Sequence, residues 1–394
     1  FPDDIARNSY FIDIHMAKPT GGMVVSHLPP GESHGIPYRA LLPLGIDNVI
    51  VAGRSISTDR ATQGSTRVMP NCLAMGEAAG TAAADEIKPA IVYSIGNKFD
   101  GSFNEGAYRG MEKFKADTGI DYRDFVVSNE TQFEQAHRRF AQRGQDPIVG
   151  VGFFQAAPVA AVAKEFPKTR FIVIDTVVDL PNVQSVLFRE HEGSFLVGLL
   201  AAMASKSGVI GMVGGMDIPL VRRFYCGFEQ GAKYANPKIT VLYNSTGNTP
   251  AAWTDPGRAA ELAKGQFDRG VDVVFAAAGT SGLGAMQAAK DNGKLTIGVD
   301  SNQNHLHPGT VLTSMVKRVD LAIYKSFADA REGKWKPGVS VLGLKEGGVD
   351  WALDEHNAKL ISAEMRAKAD EAKAGIIAGI IKVHDYMSNN RCDY

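Results

Sequence analysis

The stretch Val209-Ile-Gly-Met-Val-Gly-Gly-Met-Asp-Ile-Pro219 decides the fold of most of this chain. Residues 209–213 are apolar and predict a buried strand, which the following glycines end. Pro219 suits the first turn of a helix, and residues 221–234 continue with a helical pattern. Because a strand that leads through a glycine turn into a helix is half of a βαβ unit, the stretch predicts a parallel sheet.

The same alternation of short apolar runs and longer amphipathic stretches begins at Ile87 and continues through the chain. Predicted strands cover residues 90–95, 124–127, 147–151, 171–175, 186–188, 209–213, 239–243, 273–277, 295–300, 311–315 and 339–344. Predicted helices cover residues 105–118, 130–143, 195–205, 221–234, 256–269, 282–292 and 320–332, and residues 364–373 are typical of a solvated helix face. These strands are too many for one ordinary doubly wound sheet, so we expect an α/β fold with two parallel sheets, hence two lobes, covered by helices on both faces.

Ligands of such folds bind outside the carboxyl ends of the strands, so the residues that follow each strand are the candidate site. They include carboxylates, amides, exposed aromatics and one lysine, and we find no Ser-His-Asp, Cys-His or P-loop pattern among them. This chemistry suits binding of a neutral polyhydroxylated or aromatic ligand more than catalysis. The candidate residues are Asp100, Ser102, Phe103, Asn104, Asp175, Phe224, Gly279, Asp300 and Lys317.

Each candidate also has a purely structural interpretation. Asp175 and Asp300 could cap the turns that follow them, and Phe103 and Phe224 could be ordinary core residues. The sequence Gly279-Thr-Ser-Gly-Leu-Gly284 matches a dinucleotide-binding loop only loosely and follows a late strand. These alternatives stay open at the level of sequence.

Composition excludes several classes of protein. The 394 residues carry 42 Lys and Arg against 43 Asp and Glu, which gives a net charge of −1 and argues against nucleic-acid or anionic-membrane binding. Three cysteines, Cys72, Cys226 and Cys392, form no CxxC motif and predict no disulfide framework.

Residues 1–84 lack the regular alternation of strand and helix patterns that the rest of the chain shows. Pro, Gly and Ser interrupt the opening stretch, and two signals follow: the apolar run Asn48-Val-Ile-Val-Ala-Gly53 predicts a strand, and residues 71–84 predict a helix of small residues. This segment contains few large apolar residues, so we expect it not to form a substantial hydrophobic core of its own.

Residues 86–394 resemble the basic membrane protein family, the purine nucleoside receptors of ABC importers. The matching stretches are Asp100-Gly-Ser-Phe-Asn104, Phe171-Ile-Val-Ile-Asp-Thr-Val-Val178, Glu192-Gly-Ser-Phe-Leu-Val-Gly198, Gly214-Gly-Met-Asp-Ile-Pro219, Gly298-Val-Asp300 and Val311-Leu-Thr-Ser-Met-Val-Lys-Arg318. The resemblance implies a type I periplasmic-binding-protein fold, with two Rossmann-like lobes joined by a three-stranded hinge. We expect lobe 1 to comprise about 86–206 and 301–335, and lobe 2 about 207–300 and 336–385.

The resemblance also implies roles for the candidate residues. Phe103 and Phe224 would sandwich a purine, and Asp175 would accept hydrogen bonds from the edge of the base. Asp300 and Lys317 would hold the ribose hydroxyls. Ser102, Asn104 and Gly279 would contribute further hydrogen bonds, and Asp100 belongs to the same motif. Phe99 stands close to Phe103 in the sequence and competes with it for the stacking role.

Residues 1–84 resemble the C-terminal end of an FAD-dependent oxidoreductase. The matching stretches are Ile36-Pro-Tyr-Arg-Ala-Leu-Leu-Pro43, Asn48-Val-Ile-Val-Ala-Gly-Arg-Ser-Ile-Ser57, Gln63-Gly-Ser-Thr-Arg-Val-Met-Pro70 and Gly76-Glu-Ala-Ala-Gly-Thr-Ala-Ala83. No GxGxxG motif follows a first strand in residues 1–84, so we expect this segment not to bind FAD on its own. Ala82-Ala-Ala-Asp85 is similar to a secretory cleavage site, which places a junction between two unrelated proteins here.

Together these resemblances imply a non-catalytic, monomeric receptor with no cofactor, periplasmic or on the cell surface. Its expected ligand is a purine nucleoside (adenosine, guanosine or inosine), and its expected partner is an ABC transporter permease. Two alternatives remain open. Residues 1–84 could be a functional flavin enzyme fused to a sensor, or the binding fold could take a sugar or another small solute.

Overall fold

The structure is a computed structural model that describes residues 1–15, 23–46, 49–83 and 87–393. Its contacts divide the chain into two units, Phe1–Glu86 and Ile87–Tyr394. Residues 84–86, which include the end of the proposed junction, lie outside the described residues. So does Asn48, the first residue of the strand predicted over residues 48–53.

The described residues of the first unit form two antiparallel strand pairs and two α-helices. Strand β1 (Asp4–Asn8) pairs with β4 (His34–Pro37), and β2 (Ile12–His15) pairs with β3 (Met23–Ser26). The helices are α1 (Arg60–Thr66) and α2 (Met69–Ala83). The buried apolar core of this unit is small and consists of Ile36, Leu41, Ile56 and Met75.

One sequence prediction in this unit is wrong. Residues 49–52 do not form a strand, and a short 3-10 helix, Gly53–Ser55, follows them. The Val51 N–H donates to the carbonyl of Leu41 at 2.8 Å, but a single backbone hydrogen bond does not make a ladder. The predicted helix of small residues is present as α2 and begins slightly earlier than predicted.

Residues 87–394 contain the alternation of strands and helices that the sequence predicts. The strands are β5 (Ala90–Val92), β6 (Arg123–Phe125), β7 (Ile148–Gly150), β8 (Phe171–Ile174), β9 (Val183–Phe188), β10 (Val209–Met216), β11 (Thr240–Gly247), β12 (Val273–Ala277), β13 (Leu295–Asp300), β14 (Val311–Lys317), β15 (Gly338–Leu342) and β16 (Val349–Trp351). The helices are α3 (Phe103–Thr118), α4 (Gln132–Gln142), α5 (Ala156–Glu165), α6 (Glu190–Ala204), α7 (Pro219–Ala235), α8 (Pro256–Phe267), α9 (Gly282–Asp291), α10 (Val319–Arg331) and α11 (Ala363–Ile377). Every predicted strand and helix of this unit is present, whereas α5 and β16 are additional.

Two six-stranded sheets form the lobes, which confirms the predicted α/β class. Lobe 1 has the strand order β15-β9-β8-β7-β5-β6, and all of its pairs are parallel. Lobe 2 has the order β11-β10-β12-β13-β14-β16, in which β16 alone runs antiparallel to its neighbour. The central strands of each sheet are buried on both faces because helices cover both sides of the sheet, whereas the edge strands β6, β11 and β15 are more exposed.

The helices divide between the lobes in pairs. In lobe 1, α3 packs with α10 on one face and α4 with α5 on the other. In lobe 2, α8 packs with α9 on one face, and α6 packs with α7 and α11 on the other. Within the described residues, no helix combines the length and the apolar character that crossing a bilayer requires.

The chain passes between the lobes three times, after β9, after β14 and after β15. Backbone hydrogen bonds tie these crossings together. The Arg189 N–H donates to the carbonyl of Leu342 at 3.0 Å, and the Arg318 N–H donates to that of Gly348 at 2.8 Å. The crossings therefore lie side by side, as a three-stranded hinge requires.

The lobe boundaries predicted from the sequence are wrong in three places. Strand β14 pairs with β13 and belongs to lobe 2, and β15 pairs with β9 and belongs to lobe 1. Helix α6 packs on lobe 2, although the predicted boundaries place it in lobe 1. The physical reason is that the backbone ladder fixes the place of a strand. The chain leaves lobe 2 only after Lys317 and returns only after Leu342.

Helices α6 and α7 approach each other closely because both carry glycine at the contact. A Cβ at Gly231 would lie 1.8 Å from the carbonyl oxygen of Phe195, and one at Gly198 would lie 2.0 Å from that of Phe228. Any side chain at these positions forces the helices apart. This contact fixes the position of α7, and α7 forms one wall of the site described below.

We predict that Gly231→Ala lowers the free energy of unfolding of residues 87–394 by about 1–3 kcal/mol, because the new methyl group overpacks a backbone contact. Gly265→Ala is the matched control. This glycine lies on α8, and a Cβ added there would meet no atom within 4 Å, so the same substitution should add about 0.5–1 kcal/mol.

Urea unfolding followed by tryptophan fluorescence measures both effects, since Trp253, Trp335 and Trp351 all lie in the second unit. Equal changes in the two variants would contradict the close-packing interpretation.

Candidate functional site

A cavity lies where the carboxyl ends of the two sheets of residues 87–394 face each other. Lobe 1 contributes the first turn of α3 and the residues after β7 and β8. Lobe 2 contributes α7 and the ends of β12, β13 and β14. Eight of the nine predicted site residues line this cavity. They are Asp100, Phe103, Asn104, Asp175, Phe224, Gly279, Asp300 and Lys317.

Asp100 organises the turn that leads into α3. One of its carboxylate oxygens accepts from the backbone N–H groups of Ser102 (2.8 Å) and Glu105 (3.1 Å), and the other accepts from that of Asn104 (3.0 Å). These are N–H groups that a helix start leaves without intrahelical partners. Asp100 thus stabilises the beginning of α3 and places Phe103, the first residue of the helix, at the cavity.

Ser102 and Asn104 support the site through hydrogen bonds within the protein. Ser102 is fully buried outside the cavity lining, and its Oγ donates to Oδ2 of Asp300 at 2.8 Å, across the two lobes. Asn104 accepts from the N–H of Ser94 at 3.0 Å and donates to its carbonyl at 3.3 Å. Ser102 therefore positions a carboxylate, and Asn104 fixes the loop that follows β5.

Asp175 and Asp300 follow or end their strands with left-handed backbones, at φ angles of 67° and 62°. Few residues other than glycine adopt this region, and aspartate does so more readily than most. Among the described residues neither carboxylate accepts from a backbone N–H, so the alternative that they cap the following turns finds no support. Asp175 Oδ2 accepts from Lys317 at 2.6 Å, while its buried Oδ1 has no hydrogen-bond partner within the described part of the chain.

Lys317 is buried, and its Nζ forms two ion pairs. It lies 2.6 Å from Asp175 Oδ2 and 2.8 Å from Glu190 Oε1. Glu190 in turn pairs with Arg223 at 3.0 Å, and Arg223 pairs with Asp385 at 2.7 Å. A continuous chain of ion pairs thus runs from the cavity along α7 to the C-terminal segment.

Burial and these partners shift the pKa values of the network. Burial alone would lower the pKa of Lys317, but the carboxylates of Asp175 and Glu190 outweigh it and raise that pKa. Burial raises the pKa of Asp175 against the opposing effect of Lys317, and raises the pKa of Asp300 to about 6. Burial would also raise the pKa of Glu190, but Lys317 and Arg223 lower it overall. The positive charge of Lys317 therefore compensates the ionised carboxylates of Asp175 and Asp300 only in part.

Three aromatic rings surround the ammonium of Lys317. Its Nζ lies 5.1 Å from the ring centre of Phe103, 5.0 Å from that of Phe188 and 5.7 Å from that of Phe224, distances typical of cation–π contacts. Phe103 belongs to lobe 1 and Phe224 to lobe 2, and both line the cavity. The two lobes thus each present a phenylalanine ring near this ammonium to the same cavity.

Phe99, the rival to Phe103, lies elsewhere. Its side chain is 57% exposed, packs edge-on against Tyr108 with ring centres 5.1 Å apart, and does not line the cavity. Phe103 is therefore the phenylalanine that this motif brings to the site.

Two aromatic residues of the cavity are not among the residues predicted from the sequence. Trp253 ends the short 3-10 helix Pro250–Trp253 after β11, and a Cβ at Gly215 would lie 2.2 Å from its ring. Phe153 begins the 3-10 helix Phe153–Gln155 after β7. Both residues follow strand ends, so applying the strand-end rule to every strand would have found them.

The comparisons with known proteins agree with this architecture. The family model of ABC transporter substrate-binding proteins of the PnrA-like type, Bmp, matches residues 88–386. The chain belongs to this family. Basic membrane protein D of Borreliella burgdorferi is 35% identical over 292 residues, which cover 72% of this chain and 84% of the relative. The ABC transporter nucleoside-binding protein BmpA of Lactococcus lactis is 30% identical over 343 residues, covering 80% of this chain and 96% of the relative.

Two further comparisons cover a similar share of the chain. An uncharacterised lipoprotein of Pyrococcus abyssi is 33% identical over 304 residues, 73% of this chain and 74% of the relative. An ABC transporter solute-binding protein from Aeropyrum pernix has a crystal structure that is 28% identical, with a TM-score of 0.69, covering 75% of this chain and 93% of that one. The matched family and the Aeropyrum pernix structure are thus both described as binding proteins of ABC transporters.

The first unit has a different relationship. A family model of FAD-dependent oxidoreductases matches residues 1–93. Binding of the ADP half of FAD requires a parallel βαβ unit with a glycine-rich turn. The strand pairs that the structure describes in residues 1–15, 23–46 and 49–83 are antiparallel instead. These residues therefore do not fit the dinucleotide half of the cofactor, and we assign them no flavin chemistry.

We predict that Asp300→Asn raises the free energy of unfolding at pH 7 by about 1–3 kcal/mol. The folded-state pKa of about 6 lies above the unfolded value of 3.8, so ionised Asp300 disfavours folding at neutral pH. This disadvantage is complete above pH 6 and disappears as the pH falls from 6 to about 4. The stability gain of the variant should follow the same profile.

Urea unfolding of both proteins between pH 4 and pH 8 tests this. The exposed Asp268→Asn is the control and should change stability by no more than about 0.5 kcal/mol. A gain that does not vary with pH would argue against a buried, partly uncompensated carboxylate.

Proposed function

We propose that the cavity captures a purine nucleoside for an ABC importer. The observation that carries this proposal is the pair of phenylalanines, Phe103 and Phe224, that the two lobes contribute to one cavity beside buried carboxylates. A planar ring between them would be stacked on both faces when the lobes close.

The base is recognised by Asp175. Its Oδ1 is buried and unpartnered within the described residues, so it can accept a hydrogen bond from an N–H at the edge of a purine. Such a donor replaces the hydrogen bonds to water that this oxygen loses on burial. A hydrogen bond to a charged group contributes about 1–3 kcal/mol. Apolar ligands do not offer this compensation.

The ribose is recognised by Asp300 and Lys317. Both side chains line the cavity, and a carboxylate accepts from hydroxyl groups while an ammonium donates to them. Ser102 holds one oxygen of Asp300, so the carboxylate keeps a fixed direction. The site therefore combines aromatic walls for the base with ionic groups for the sugar.

The relatives support this assignment and its setting. The Lactococcus lactis protein is named a nucleoside-binding protein of an ABC transporter, and the Pyrococcus abyssi protein is named a lipoprotein. We place this protein outside the cytoplasmic membrane, as a monomer that delivers its ligand to a permease. The hinge of three crossings supplies the closure that such delivery uses.

We predict saturable one-to-one binding of at least one of adenosine, guanosine and inosine in a calorimetric titration of the full chain. Ribose should bind at least about 10-fold more weakly, because it gains no stacking energy, which is worth about 1–3 kcal/mol per base. Ribose binding as tightly as every nucleoside would favour a sugar receptor. No heat with any nucleoside would refute the proposal.

Phe224→Ala should weaken binding of the preferred nucleoside by about 10- to 100-fold, because one face of the base loses its stacking partner. Its effect on ribose binding should be small. Phe99→Ala removes an exposed phenylalanine outside the cavity and should leave both affinities unchanged. Calorimetry at a temperature where circular dichroism shows both variants folded makes the comparison, and equal losses for nucleoside and ribose would argue against stacking.

A further inference from the structure

The C-terminal segment beyond α11 returns to α7 and is bonded to it at two points. Arg223 donates to both carboxylate oxygens of Asp385, at 2.8 and 2.7 Å. Further along the helix, Gln230 donates to the carbonyl of His384 at 3.0 Å and accepts from its N–H at 2.8 Å. The segment is therefore fixed along the helix that carries Phe224.

Two cysteines meet at this contact. Cys226 lies on α7 between the two anchoring residues, and its Sγ is 3.6 Å from Nε2 of Gln230. His384 Nε2 lies 3.0 Å from the carbonyl oxygen of Arg391, which brings the next residue, Cys392, back toward the helix. The two thiols lie close enough for each to shift the pKa of the other, that of Cys226 upward and that of Cys392 downward.

We propose that Cys226 and Cys392 are a disulfide-forming pair that fastens the C-terminal segment to α7. Sequence spacing does not indicate this pair, since the cysteines are far apart in the chain and a third, Cys72, lies in the other unit. The fold brings them together, and disulfides persist in the oxidising surroundings outside the cytoplasmic membrane where we place the protein.

The chemistry requires a disulfide-containing oxidant, such as oxidised glutathione. The thiolate of Cys392, which is half-buried, attacks one sulfur of the oxidant and releases one glutathione thiolate. Cys226 then loses its proton, attacks the Cys392 sulfur of the mixed disulfide and expels the second glutathione. The two protein thiols lose two electrons and two protons, and one oxidised glutathione gains them as two glutathione molecules.

The surroundings favour Cys392 as the attacking thiol. The neighbouring Cys226 thiol lowers the pKa of Cys392, against the effects of burial and of the carboxylates of Glu229 and Asp393. The same contact, together with burial, raises the pKa of Cys226. Cys392 is also the more exposed of the two thiols, so an oxidant reaches it first and Cys226 is the resolving partner.

The bond would reinforce the site through Arg223. This arginine pairs with Asp385 of the tethered segment and with Glu190, which pairs with Lys317 at the cavity. The family match ends at residue 386, so Cys392 lies beyond the part of the chain that the family model describes.

Peptide mapping of the full chain tests the proposal directly. The protein is incubated with oxidised glutathione, quenched with acid, alkylated without reduction and digested with trypsin. The expected product is peptide 224–233 linked to peptide 392–394, and reduction should separate the two. Cys72→Ser should give the same linked peptides, whereas Cys392→Ser should give none.

A second measurement covers the case in which a variant folds poorly. The oxidised wild-type protein should melt roughly 5 °C higher than the same protein reduced with dithiothreitol, because the bond closes a long loop. Three alkylated thiols after oxidation of the folded protein would overturn the proposal. A glutathione adduct that remains on Cys392, or a crosslink between two chains in place of the linked peptides, would overturn it as well.

Discussion

The second unit contains a buried ammonium, that of Lys317, which must be paired with carboxylates in the folded protein. A charge without partners in such a place would cost several kcal/mol, so the fold must bring carboxylates to it. Asp175 comes from lobe 1, and Glu190 comes from the first residue of α6, directly after the first crossing of the hinge. Lys317 itself ends β14, directly before the second crossing. One ammonium therefore links the ligand cavity to two of the three hinge strands.

Much of this fold follows from hydrophobic patterning. The glycine turn after β10, with Pro219 at the start of α7, identifies a strand-to-helix unit, and its repetition predicts two parallel sheets. The assignment of β14 and β15 to lobes could not be predicted in the same way. Both are short apolar runs, and only the backbone ladder, formed by partners distant in sequence, distinguishes one sheet from the other. Chain order alone carries no such information.

The site was predictable to the extent that it follows strand ends. Asp175 and Asp300 could be found by that rule, and the resemblance to a known family supplied Phe103 and Phe224 as a pair. Sequence reasoning could not separate Ser102, which holds a carboxylate from outside the cavity, from the residues that line it. That distinction depends on side-chain direction and burial, which are properties of the assembled lobes.

The left-handed backbones at Asp175 and Asp300 restrict how these positions can change during evolution. A residue other than glycine pays about 1–2 kcal/mol for this conformation, and short polar side chains such as aspartate and asparagine tolerate it best. Branched or bulky replacements would meet backbone strain whether or not a ligand binds. The backbone conformation therefore limits which residues can replace the two aspartates, in addition to the requirements of ligand recognition. A descendant of this protein that adopted a different ligand would still inherit short, polar residues at the ends of the same two strands.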